Sequence, residues 1–164
     1  MKRLILACLL SLASLSGFAQ PDPDAALKQQ VNAFVDSWHD DAAHARPAFF
    51  DKIARDGVYI GTYKTELWKR DDFKVWAKKA FERSSAWAFT PLRRNVYVSP
   101  DRSVIWFDEL LKTQMGICQA SGVLHKAGAS FEIDHYQLSI AVPNEISSKV
   151  ISTIGDYEAP LGVK

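Results

Sequence analysis

Between Gly116 and Asn144 the chain reads GICQASGVLHKAGASFEIDHYQLSIAVPN, two period-two stretches on either side of Ala127-Gly128-Ala129. Successive side chains of a strand point to opposite faces, so this pattern predicts the two arms of an antiparallel hairpin. Pro143 lacks an N–H for a ladder and ends the second arm. Gln119, Ser121, His125, His135 and Gln137 alternate with apolar residues. One face therefore carries polar chemistry that a sheet sealing only a core would not need, and the hairpin is expected to wall a ligand cavity.

The rest of the chain fits around that hairpin. Residues 87–98, closed by Ser99-Pro100-Asp101, and residues 103–112 are two further period-two stretches, and short connections make such neighbours antiparallel. A brief strand over 58–60 ends at Gly61. Upstream the period changes. Leu27, Val31, Phe34 and Trp38 recur at spacings of four, three and four, with Asp22 or Asp24 to cap a helix over 23–43 and Pro23 in its first turn. A short helix follows over 46–54. Phe73, Trp76, Ala77, Ala80 and Phe81 mark a helix over 70–83, with Asp71 and Asp72 at its start and Lys78, Lys79 and Arg83 towards its end, as the helix dipole favours. A last helix is expected from Asn144 to Gly155. Helices followed by a run of antiparallel strands define an α+β domain. Packed on one face of a curved sheet, the helices close the narrow end of a cone and leave a cavity at its wide end.

Residues 1–19 fall outside that domain. Lys2 and Arg3 precede an apolar run from Leu4 to Leu15 and a small-x-small site at Gly17-Phe18-Ala19, the layout of a secretory signal peptide. Cleavage there leaves one domain over 20–164, with its core at about 25–147, exported to the periplasm. The formal charge falls from +1 to −1, because Lys2 and Arg3 leave and no acid does. Of the two cysteines only Cys118 remains, which rules out an internal disulfide in the mature chain. Near-neutral charge without a basic run argues against nucleic acid as a partner, and the mature chain has no apolar segment of membrane-spanning length.

Four segments carry a family likeness: YIGTYKTELWKRDDF, NVYVSPDRSVIWFDELL, GICQASGVLHK and FEIDHYQLSIAVPN. Together they resemble the SnoaL-like branch of the nuclear transport factor 2-like (cystatin-like α+β cone) superfamily, over residues 25–147. The resemblance implies the cone fold, a pocket and a homodimer, and no single chemistry, because one fold hosts many activities. This chain has Tyr63 where the family often has an acid after Gly-Thr, and Gln119-Ala120 where it often has Arg-Gly. Both departures remove charge near the expected pocket and favour a less charged ligand.

With Lys126 opposite Ser130 and Lys112 opposite Ile117, the register predicts a row of Asp108, Ser121 and His135 across three strands. Asp108 and His135 are the candidate acid–base pair. Tyr59, Trp68, Trp106, Gln119, Ser121, Val123, Phe131 and Ile133 are expected to line the pocket. The opposite face, bearing Tyr136, Leu138 and Ile140, is expected to meet a second copy of the chain. No metal or cofactor is expected: His39 and His44 are five apart, not the three or four that ligands on one helix face need, so the cluster with Asp40 and Asp41 reads as a solvated helix end. Cys118 reads as a buried small hydrophobe and Arg93-Arg94 as a surface pair or a dimer contact. Three functions stay open: binding of a small, mostly apolar molecule; an acid–base enzyme using Asp108 and His135; and a dimeric interaction module without chemistry.

Overall fold

The computed structural model describes residues 22–162; the signal peptide expected over 1–19 lies outside them. The order of elements is α1 (Ala25–Ala43), α2 (Ala48–Asp51), β1 (Ile53–Ile60), β2 (Leu67–Lys69), α3 (Arg70–Trp76), α4 (Lys78–Phe81), β3 (Phe89–Val98), β4 (Ile105–Thr113), β5 (Gly116–Ala127), β6 (Ser130–Ile140) and α5 (Asn144–Glu158), with a final 3₁₀ turn at Ala159–Leu161. The six strands form one sheet in the order β2-β1-β6-β5-β4-β3.

The four long strands expected from the alternation are present, as is the predicted register of β4 on β5: Lys112 opposite Ile117 and Asp108 opposite Ser121. Three features differ from expectation. β1 is longer than residues 58–60 and runs parallel to β6, so the sheet is not wholly antiparallel. The second helix shrinks to one turn, and the helix expected over 70–83 is divided at Ala77 into two shorter helices. The β5–β6 hairpin closes with a two-residue turn at Gly128-Ala129, pairing Ala127 with Ser130. Gly128 adopts a φ of +61°, which glycine reaches without penalty at the first central position of a two-residue hairpin loop.

A β-bulge at Asp134 then settles which residues share a face. Leu124 opposes Ile133 but Val123 opposes His135, so one extra residue enters β6 and the facing of its side chains inverts. Before the bulge Phe131 and Ile133 point into the core; after it Tyr136 and Leu138 do, and His135, Gln137 and Ser139 point away.

α1 lays Val31, Phe34, Val35, Trp38 and Ala42 against the concave face of the sheet, where they meet Phe107, Leu111, Leu124, Ile133 and Tyr136. The Trp38 indole N–H donates to the Phe49 carbonyl at 3.0 Å, tying α1 to α2. Burying side chains of this size contributes about 2–3 kcal/mol each before conformational entropy is set against it. α5, by contrast, buries none of its residues, and Ile146, Ile151, Ile154 and Tyr157 are all half-exposed or more. Its C-terminal end is held to the β1–β2 loop by the ion pair of Glu158 with Lys64 at 2.5 Å. No helix among the described residues is long and apolar enough to cross a membrane.

Candidate functional site

The wide end of the cone holds a cavity of about 170 Å³. Tyr59 from β1, Trp68 from β2, Phe73 and Trp76 from α3, Trp87 from the segment before β3 and Phe89 at the start of β3 supply aromatic walls; Leu138 of β6 and the β4–β5 turn, Gln114-Met115, complete them. The rings form a near-parallel stack: Tyr59 on Phe73 at 4.1 Å, Phe73 on Trp87 at 5.7 Å and Trp68 on Trp76 at 5.4 Å. Offset stacking of this kind holds the walls in place without filling the space between them and the turn. Trp76 remains 49% exposed, so the cavity is open on that side.

The β1–β2 loop forms the lip. It is closed by backbone bonds from Gly61 N–H to the Glu66 carbonyl and from Glu66 N–H to the Tyr63 carbonyl, both 2.9 Å, and by Tyr63 N–H donating to Glu66 Oε2 at 3.2 Å. A side chain at Gly61 would collide with the Glu66 carboxylate, so this position must lack a Cβ for Glu66 to fold over the lip. Among the described residues Glu66 is the one charged group lining the cavity, and no lysine, arginine or histidine is within salt-bridge distance of it. Burial, with the Glu66 carboxylate next, pushes the Tyr59 hydroxyl well above the ordinary phenol range.

Beneath the cavity sits a buried polar cluster. Glu109 on β4 is 1% exposed and accepts from His39 Nε2 at 2.8 Å, Arg94 Nε at 2.9 Å and the Tyr136 hydroxyl at 3.1 Å. Arg94 reaches on to Asp36 Oδ1 at 2.8 Å. Burial would raise the Glu109 carboxyl, but the hydrogen bond and charge of His39, then the charge of Arg94, outweigh it and hold the group below its ordinary range. A carboxylate so stabilised is a poor proton acceptor. Phe89 links the two layers, lining the cavity and lying 5.2 Å from the His39 ring.

Of the residues expected at the pocket, Tyr59 and Trp68 line the cavity. Phe131 and Ile133 face inward but belong to the core; Phe131 packs edge-on against Phe34. Trp106, Gln119, Ser121 and Val123 lie on the outer, convex face, as do Asp108 and His135. The row is real, but its third member is Gln137 rather than His135, because the shorter turn and the bulge move the register by two. Asp108 accepts instead from Asn95 Nδ2 and the Tyr97 hydroxyl, both 2.9 Å. The expected dimer face is likewise inverted. Tyr136 and Leu138 are buried under the helices, and Ile140 is half-exposed at the sheet's end.

Other readings also change or hold. Arg94 is not a surface residue: its side chain is 5% exposed and it pairs with Glu109. The group at 39–44 diverges, with His39 turned inward, His44 bound to Asp40, and buried Asp41 taking Arg46 and Lys52 at 2.6 and 2.5 Å. Cys118 is buried on the face opposite Ser121, as expected. Sequence reasoning passed over Glu66, Phe73, Trp76, Trp87, Phe89, Gln114, Met115 and Leu138 as cavity residues. The clue available was the Glu-x-Trp of Glu66 and Trp68 beside a segment holding Trp76 and Trp87.

Helices over the concave face of a strongly curved six-stranded sheet, with an aromatic cavity at the open end, define the cystatin-like, NTF2-like class of α+β cones. The profile of the SnoaL-like domain matches residues 31–143, and the chain belongs to that family. Among solved structures it is similar to an NTF2-like protein of unknown function from Pseudomonas putida, with TM-score 0.61 and 12% identity over 73% of this chain and 90% of that one. It is also similar to an uncharacterised cystatin-like protein from Caulobacter vibrioides, with TM-score 0.56 and 11% identity over 77% and 97%. A proposed ketosteroid isomerase from Parabacteroides distasonis superposes with TM-score 0.55 and 13% identity over 69% and 86%. At such identities the likeness is one of fold. No curated protein matches the sequence.

Proposed function

We propose that this domain binds a small, mostly apolar molecule in the open end of the cone. The observation that carries the reading is the cavity itself, walled by Tyr59, Trp68, Phe73, Trp76, Trp87 and Phe89 with a few polar groups at its lip. Concave, mainly aromatic sites with a few placed polar groups are the usual form of small-molecule sites. The acid–base alternative through Asp108 and His135 loses its basis, since both lie outside the cone and do not pair.

Native mass spectrometry of freshly purified protein tests the reading. A bound species of small-molecule mass is expected, and it should be lost in Trp68→Ala/Trp76→Ala. A bare spectrum, together with no binding of added aromatic probes, contradicts it.

The proposal includes export, supported by the basic, apolar and small-residue pattern over 1–19, and pairing of two copies through the convex face. Tyr97 and Trp106 are stacked there at 5.6 Å and stand 40% and 41% exposed, with Ile117 also 41% exposed on β5. Apolar groups grouped on one uncovered sheet face are what a self-complementary interface buries.

A further inference from the structure

We propose that the ligand this cavity selects is an organic cation, a quaternary or protonated amine on an apolar body. The proposal deepens the binding reading above and rests on it. Two independent observations point the same way. The first is the wall: indole faces attract cations more strongly than other side chains do, and Trp68, Trp76 and Trp87 all line this cavity beside Tyr59 and Phe73. The second is the charge at the lip. Among the described residues Glu66 is the only charged one lining the cavity, and it is half-buried, folded over Gly61 and unpaired by any cation. Its neighbours are committed elsewhere, Lys64 to Glu158 and Lys69 to the Asp56 carbonyl. Lys79 and Arg83 lie in a separate groove behind Trp76 and Trp87, with Arg83 bonded to the Ala80 and Ala86 carbonyls.

A half-buried carboxylate that has the Tyr63 N–H but no counter-ion leaves its charge uncompensated. A cation seated against the indoles would supply the missing charge while its alkyl groups cover apolar surface. An anion would meet Glu66 head-on, and a neutral apolar molecule would leave it unpaired.

The test uses the full mature chain and two probes of equal shape, choline and 3,3-dimethylbutan-1-ol, which differ in a quaternary nitrogen for a quaternary carbon. Affinities are read from tryptophan fluorescence and calorimetry for wild type and Glu66→Gln, a variant that keeps the acceptor for Tyr63 N–H. Choline should bind at least about tenfold tighter than the alcohol to wild type, and Glu66→Gln should remove most of that gap while leaving the alcohol unchanged. Equal affinities, or a preference for the alcohol, overturn the cation inference and leave the apolar cavity standing. If neither these probes nor neutral aromatic probes bind, the cavity reading fails and this inference with it.

Discussion

Replacing Glu109 and its neighbour Asp108 separately by alanine sets the inside of the cone against the outside. Glu109 is 1% exposed and takes three donors, one of them from Arg94, whose side chain is 5% exposed. Glu109→Ala leaves that guanidinium without its buried counter-charge and strands the Tyr136 hydroxyl. Removing one partner of a buried pair costs about 3–5 kcal/mol, and because Arg94 keeps Asp36 and the Asn32 side chain, the lower end, about 3 kcal/mol, is expected. For a domain of this size that lowers Tm by about 10 °C. Asp108 is partly exposed and bonds only Asn95 and Tyr97, so Asp108→Ala should cost about 1 kcal/mol or less. Urea and thermal unfolding followed by circular dichroism measure both variants. Equal losses, or a larger loss for Asp108→Ala, would show that β4 presents the opposite face to the helices and would refute the site as described.

Other outcomes follow from the same geometry. The folded Glu109 carboxyl is held below its ordinary value near 4.5, so the unfolded chain binds the extra proton. Its contribution is fully present above about pH 4.5 and lost as pH falls through the lower folded value, so the stability gap between wild type and Glu109→Gln should narrow in acid; a gap constant from pH 6 to 3 would contradict this. Gly61→Ala should displace Glu66 and open the β1–β2 loop, seen as faster amide hydrogen exchange at Tyr63 and Glu66, whereas unchanged exchange would mean the carboxylate does not lie over Gly61. Trp106→Lys should give a monomer by sedimentation if the convex face pairs two copies, with unfolding unchanged within about 0.5 kcal/mol for a surface position; a dimer that persists rejects that face.

Much of the fold was readable because alternation and helical periodicity are strong in this chain. β4 on β5 came out in register because the Thr113-to-Gly116 turn admits few alternatives and both strands are regular. The face was not readable, for two physical reasons. Both faces of β4 carry large apolar groups, Trp106 and Leu110 on one side and Phe107 and Leu111 on the other, so pattern alone does not say which side the helices cover. The bulge at Asp134 then inverts β6, and nothing in FEIDHYQL marks an extra residue. Those two facts moved the expected pair, Asp108 and His135, outside and brought Glu109 in. His39 became part of the interior because its partner lies 70 residues away, a distance that motif spacing within a helix does not sample. The cavity aromatics were visible as residues but passed as core, since Phe73 and Trp76 fit a helical stripe equally well.

The five tryptophans offer the most direct test of the central claim, that the open end of the cone is the ligand site. Trp68, Trp76 and Trp87 line the cavity, Trp38 is locked in the core by its bond to the Phe49 carbonyl, and Trp106 stands on the convex face. Indole N–H signals in ¹⁵N-labelled protein, assigned by single Trp→Phe variants, should be followed as a bound small molecule is titrated in. The account predicts saturable shifts of Trp68, Trp76 and Trp87 with Trp38 and Trp106 still. Shifts confined to Trp106, or none at the three cavity indoles, would contradict it.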